Sequence, residues 1–302
     1  MAARRPAAPR SRKVEAMKSI LVATDFSERS DRALRRASLL ARQAGAGLCL
    51  VHVVDDDQPA RIVEAEREAA SQLLDEQSAT LREMDGIRCD TQVIFGAPFA
   101  GIVEATWERE PDLLVIGPHR RQALRDIFVG TTAERTIRTV TCPVLMANSP
   151  PAGPYRNALV TTDLSDASRD AIKRYLSLRM PGSARTSIVH VFSLPALGLA
   201  SHSIPKEEKQ RYLDSEAEGA ARQLAAFLGD LDVVFAEHIL RHDASTPARE
   251  ILNAAEESEA GLIVVGTQGK SGLERLLLGS VAEEVFRHAQ MDVLAIPPKH
   301  RR

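Results

Sequence analysis

Short apolar runs alternate with longer stretches of helical spacing along the whole chain. Ile20 to Thr24, Leu48 to Val54, Thr91 to Phe95, Leu113 to Ile116 and Val144 to Ala147 are apolar or alternating runs of strand length. Between them, Ala33, Leu34, Ala37, Leu40 and Ala41, and again Ile102, Val103, Ala105 and Trp107, recur at the spacing that lines one face of a helix. Several strand runs are apolar on both faces, so helices must cover both sides of a parallel sheet. The order βαβαβαβαβ predicts a doubly wound α/β domain with right-handed crossovers and strand order 3-2-1-4-5.

The pattern occurs twice. Leu21-Val22-Ala23-Thr24-Asp25-Phe26-Ser27 returns as Leu159-Val160-Thr161-Thr162-Asp163-Leu164-Ser165, and Val51-His52-Val53 as Val189-His190-Val191, both at an offset of 138. Pro98, Gly117, Gly130 and Val144-Leu145 match Pro247, Gly266, Gly279 and Val293-Leu294 at an offset of 149, so the second copy has gained 149 − 138 = 11 residues between Val191 and Pro247. The prolines and glycine of Asn148 to Pro154 mark a short linker. The expected organisation is an N-terminal extension over 1–16, a first domain over 17–148, a linker over 149–156 and a second domain over 157–302. Two domains also suit a length of 302 residues.

Composition narrows the function classes. An apolar fraction of 44% and a charged fraction of 26% are ordinary for a soluble globular protein, and no apolar run is long enough to span a bilayer. A net charge of −2 supplies no field for a nucleic-acid backbone, so neither nucleic acid nor membrane is an expected partner. Cys49, Cys89 and Cys142 are odd in number and lack metal-ligand spacing, which fits a reducing cytoplasm and no metal site. Residues 1–16 are arginine-rich without a signal-peptide core; they read as a disordered extension, with Met1 and Met17 both open as the start.

The candidate chemistry lies where the fourth strand of the second copy ends. Gly266-Thr267-Gln268-Gly269 is followed nine residues on by Gly279-Ser280, giving G-x2-G-x9-G-[ST]. Such glycines let a backbone turn sharply and approach a ligand, and successive N–H groups together with the next helix N-terminus can cradle a phosphate. The same spacing also suits a glycine turn with an ordinary serine cap. Gly269-Lys270-Ser271 is not a Walker A tail, because that motif needs glycine where Val264 stands. Asp163, at the end of the first strand of this copy, is expected to face the loop across the topological switch point, either as a ligand contact or as a helix cap competing with Ser165.

With these motifs in order and twice over, the chain from Lys18 to Ile296 resembles the universal stress protein family in its tandem form. The resemblance implies two adenine nucleotide alpha-hydrolase-like domains and a regulatory stress-response module that binds ATP, with Mg2+, or another adenine nucleotide. It implies an adenine side at Asp163 and Val191, with Gly266, Gly269, Gly279 and Ser280 on the ribose and phosphates. The matching positions of the first copy are Asp25, Val53, Gly117, Arg120, Gly130 and Thr131, a degenerate site because arginine stands where the second glycine belongs. Arg120 either occludes the phosphate path or supplies charge to an anion; loss of ATP affinity in this copy is the expectation. The resemblance also implies antiparallel pairing of last strands, Val144-Leu145-Met146 with Val293-Leu294-Ala295-Ile296, here within one chain, with a homodimer as a further partner arrangement.

No nucleophile with a base and an orienting acid is apparent, so catalysis is expected to be absent or confined to weak ATP hydrolysis. A nucleotide-independent oligomeric scaffold is the alternative. His52 and His190, repeated on one strand position, read as core or rim histidines. The proline-bracketed run Ser193 to Pro205, with Leu194, Leu197, Leu199 and Ile204, reads as a loop that either caps the core or forms a lid, before a charged helix near Lys206.

Overall fold

The computed structural model describes residues 17–118, 131–180, 185–194, 205–231, 233–269 and 278–298. The first copy runs β1 (Ser19–Ala23), α1 (Glu28–Ala44), β2 (Gly47–Val54), α2 (Ala60–Asp85), β3 (Cys89–Phe95), α3 (Pro98–Arg109), β4 (Leu113–Ile116), α4 (Thr132–Thr139) and β5 (Val144–Met146). The second runs β6 (Asn157–Thr162), α5 (Asp166–Leu178), β7 (Arg185–Phe192), α6 (Lys206–Gly229), β8 (His238–His242), α7 (Pro247–Glu257), β9 (Leu262–Gly266), α8 (Ser280–His288) and β10 (Asp292–Ile296). The extension over 1–16 and the expectations placed on Arg120, Gly130, Leu197, Leu199 and Ile204 lie outside the described residues. Among the described residues, no helix is long and apolar enough to cross a membrane.

All strands join one sheet in the order β3-β2-β1-β4-β5-β10-β9-β6-β7-β8, so each copy keeps the expected 3-2-1-4-5 order. Within each copy the pairs are parallel, and β5 meets β10 antiparallel with Val144, Leu145 and Met146 opposite Ala295, Leu294 and Val293. Leu145 pairs with Leu294, its own repeat mate at 294 − 145 = 149, so the local two-fold axis passes through this pair. Two apolar edges that would otherwise be open to another chain cover each other.

Strand alternation sends Ile20 and Val22 to one face and Leu21 to the other. On the first face α1, α2, α5 and α6 contribute residues such as Leu40, Leu74, Ile172 and Phe227 to one apolar cluster; on the second, α3, α4, α7 and α8 contribute Ile102, Ile137, Ile251 and Phe286 to another. Both clusters run through both copies, so the halves share their cores. Trp107 departs from the helical pattern and is 64% exposed. It lies roughly 140° round α3 from Ile102, at the margin of the stripe that Ile102, Val103, Ala105 and Thr106 bury.

Polar contacts lock the seam. Asp292 is fully buried, with Arg36 Nε 2.8 Å from its Oδ2. Tyr155 donates its hydroxyl to the same oxygen at 2.5 Å, while the amide and hydroxyl of Ser149 donate to Oδ1 at 3.0 Å each. The Arg36 guanidinium also donates to Gly153 O at 2.7 Å and lies over the Tyr155 ring. On the opposite face Arg138 reaches both Glu134, at 2.5 Å, and Glu283, at 3.6 Å, and Glu283 also pairs with Arg287 at 2.7 Å. These four residues are two repeat-related pairs, joined across the axis by the helices that follow the two glycine loops.

Candidate functional site

The crevice of each copy opens where β1 and β4, or β6 and β9, pair as neighbours and their following segments diverge. A hydroxyl network built from a three-residue spacing shapes the first of those segments. Thr24 and Thr162 hydroxyls bond Ser30 and Ser168 at 3.1 and 3.0 Å and accept the Phe26 and Leu164 amides at 3.0 Å each. Phe26 and Leu164 are thereby held at φ 58° and 63°, the left-handed region that residues other than glycine avoid. Ser27 and Ser165 then cap α1 and α5 by accepting from the Ser30 and Ser168 amides. The cap itself is Ser165: Asp163 Oδ1 accepts from the amide and hydroxyl of Ser165 at 3.0 and 2.5 Å, so the aspartate orients the cap rather than forming it.

On the other wall of the second crevice, a Cβ built at Gly269 would stand 2.7 Å from Asp163 Oδ2. The second loop glycine therefore rests against the aspartate, and a side chain there would have to displace the Asp163 carboxylate. Gly266, at the end of β9, also packs closely, its virtual Cβ 3.3 Å from that of Ala171. The loop is pinned by Thr267, whose amide donates to Ile296 O and whose carbonyl accepts the Gly279 amide, both at 3.1 Å. Gly279 is the N-cap of α8 and brings no side-chain capping bond, so Ser280 opens the helix with its hydroxyl unspent on a cap. Asp163, Gly266, Gly269 and Gly279 thus meet at one crevice. Val191 lies half-buried on β7, two strands from the glycine loop.

The first crevice has a different interior. It encloses a cavity of about 430 Å3 whose walls include Asp25, Val53, Gly117 and Thr131, four of the six positions expected there. Gly117 is required by close approach, because a Cβ would fall 2.8 Å from the backbone C and O of Arg29. Arg29 itself was not foreseen from sequence; one helical turn beyond Asp25, it places a guanidinium nitrogen 3.5 Å from Asp25 Oδ2, where the second copy has Ala167. Burial would raise the Asp25 carboxyl, but the hydroxyl and amide of Ser27, with Ser30 and Arg29, outweigh it and hold the group below its ordinary range. Thr131 caps α4 by accepting from the Glu134 amide at 3.1 Å. Proline at 118 has no N–H to give the bond that Thr267 gives to β10.

The repeated histidines are accounted for locally. His52 and His190 donate from Nδ1 to Thr24 O and Thr162 O at 2.9 and 3.0 Å, tying β2 to the end of β1 and β7 to the end of β6.

A sequence model of the universal stress protein family matches residues 17–148 and 154–297. A universal stress protein of Methanocaldococcus jannaschii is 34% identical over 143 residues, covering 47% of this chain and 82% of that one. Universal stress protein E of Salmonella typhi is 23% identical over 299 residues, covering 93% and 94%. Among solved structures, a universal stress protein from Archaeoglobus fulgidus superimposes with a TM-score of 0.66 at 19% identity, covering 95% and 98%.

Proposed function

From the premise that this chain belongs to the universal stress protein family, we propose that its second half binds an adenine nucleotide, ATP with Mg2+ or a close relative, as a regulatory module of a cytoplasmic stress response. Asp163 and Val191 hold the adenine side, and Gly266, Gly269, Gly279 and Ser280 hold ribose and phosphates. The observation that carries this reading is the seating of Gly269 against Asp163, with its virtual Cβ 2.7 Å from the carboxylate. A loop so placed turns backbone, not side chain, toward the crevice. The start of α8, with no side chain on its first amides, is suited to an anion at the positive end of the helix.

The first half lacks both features. In the sequence Arg120 stands where the second half has Gly269, and Thr131 spends its hydroxyl on the Glu134 amide. Its affinity for ATP is therefore weak or absent.

Calorimetric titration of the full chain with Mg-ATP tests the proposal. A bulky residue at Gly279 removes binding by filling the phosphate path; its Cβ would meet Thr267 O at 3.7 Å, an ordinary contact, so the fold is kept. The same change at Gly130 leaves binding intact. Equal loss from the two changes, or none from Gly279, contradicts the proposal.

A further inference from the structure

Helix α2 carries an apolar stripe that its own chain leaves uncovered. Ile62, Leu73 and Met84 are 45%, 43% and 80% exposed. They are spaced at 73 − 62 = 11 and 84 − 73 = 11 residues, and eleven residues complete three turns to within about 20°, so the three side chains lie in one line along the 26-residue helix. Ala69 and Thr80, both exposed, continue the line between them. Single exposed apolar side chains are ordinary, whereas a contiguous row marks an interaction surface. The counterpart helix in the other half of the chain, α6, has no exposed large apolar side chain among the described residues, so the fold does not require the stripe.

Beside the C-terminal half of the stripe, a groove of about 420 Å3 runs between α1 and α2. Leu34, Leu39, Leu81 and Pro151 give it an apolar lining, and the ion pairs of Arg35 with Asp31 and Arg42 with Asp85 stand at its sides.

The spacing specifies what covers this surface. Because Ile62 and Met84 are equidistant from Leu73, a two-fold axis at Leu73 lays an identical helix antiparallel on this one, with Leu73 against Leu73 and Ile62 against Met84 at both ends. Ile62 of the other chain then reaches the mouth of the groove, in the manner of an apolar helix anchor. Charge obeys the same symmetry. Arg61 and Glu83 project on one flank of the stripe, 73 − 61 = 12 residues before the axis and 83 − 73 = 10 after it, so each Arg61 stands beside Glu83 of the other chain. Both are exposed, and among the described residues neither has an ion-pair partner in its own chain. No two like charges of α2 fall at equal distances on the two sides of Leu73.

We propose that α2 is a self-association surface, through which two chains pair antiparallel along the stripe of Ile62, Leu73 and Met84 to form a two-fold homodimer.

Sedimentation equilibrium of the full chain tests this and is expected to show a monomer–dimer equilibrium. Leu73→Glu, which sets two carboxylates against each other on the axis, raises the dimer dissociation constant by about a hundredfold or more. Its monomer melts as the parent does, because residue 73 is at the surface. Arg61→Glu weakens the dimer, and Glu83→Arg in the same chain restores it. Cross-linking with a short bismaleimide reads the register, since Cys49, Cys89 and Cys142 are buried. Leu73→Cys links to itself, and Ile62→Cys links to Met84→Cys when the two variants are mixed. Neither of those two links to itself, because its copies stand about 33 Å apart along the helix pair. A chain that stays monomeric at every concentration, a dimer that withstands Leu73→Glu, or Ile62→Cys and Met84→Cys each linking to itself but not to the other overturns the proposal.

Discussion

Replacing Asp292 with alanine is the sharpest test of how the two halves are held as one body. The carboxylate is fully buried, and its Arg36 partner has a side chain only 6% exposed. Truncation leaves a guanidinium buried without its counter-charge, and breaking a buried pair in this way costs about 3 to 5 kcal/mol. The Tyr155 hydroxyl and the Ser149 amide and hydroxyl lose their acceptor as well. Each unsatisfied donor costs about 1 to 3 kcal/mol in isolation, but the groups form one network and relax together, so the terms do not add. The expected loss is about 3 to 5 kcal/mol, a large part of a typical domain stability of roughly 5 to 15 kcal/mol. Urea unfolding followed by circular dichroism measures it, the midpoint falling without a change in slope. The double change Arg36→Met with Asp292→Leu removes both charges and should recover most of the loss, since apolar replacement of a buried pair is often neutral or stabilising. An Asp292→Ala midpoint equal to that of the parent would refute the reasoning.

Three further outcomes follow from particular contacts. Val293 is fully buried opposite Met146, so Val293→Lys places an unpaired charge in the seam and should abolish the compact monomer; a well-folded chain of unchanged compactness by small-angle scattering would count against this. Gly117→Ala pushes a methyl to 2.8 Å from the Arg29 backbone and should cost about 1 to 3 kcal/mol by overpacking, whereas Gly266→Ala, 3.3 Å from a side-chain methyl, should cost less in the same melt. Burial, the leading cause, pushes the Cys89 and Cys142 thiols from an ordinary 9.0 up to about 11. With folded values raised, this contribution to stability is complete below pH 9 and is lost as pH rises toward 11, and native Cys142 should resist alkylation at pH 9 yet react once unfolded; rapid native labelling would contradict it.

The strands of the first copy were legible because each is a short apolar or alternating run, whereas β8, His238-Ile239-Leu240-Arg241-His242 at the sheet edge, carries no such run. The doubly wound class followed from covering both faces, which leaves the strand order open, and the seam followed from the resemblance that pairs the last strands. Gly266, Gly269 and Gly279 were legible as a loop, since glycine spacing survives without knowledge of contacts. What stayed hidden depends on neighbours distant in sequence. Arg36 and Asp292 are 292 − 36 = 256 positions apart, and no periodic pattern links them. A trace of the signal was present, because Arg36 sits among Ala33, Ala37 and Leu40 on the apolar face of α1 and its repeat mate is Arg174, at 174 − 36 = 138. Arg174 also turns to the seam, donating to Pro297 O and Thr141 O at 2.8 and 2.5 Å. Arg29 was overlooked because an i, i+4 pair on an exposed helix turn is ordinary; only the cavity gives it a role. The spacing of Thr24, Ser27 and Ser30, repeated in Thr162, Ser165 and Ser168, was readable and marks the hydroxyl network that separates the cap from the aspartate.

The central claim is that two copies of one fold have diverged in what they bind, with the triphosphate confined to the half where Gly269 meets Asp163. Native mass spectrometry of the full chain in excess Mg-ATP measures this directly. The account predicts a single ATP per chain, weakened in Gly269→Ala because the added methyl, 2.7 Å from Asp163 Oδ2, pushes that carboxylate out of its place in the crevice. Two ATP molecules per chain, or one bound as tightly after Gly269→Ala, would contradict it.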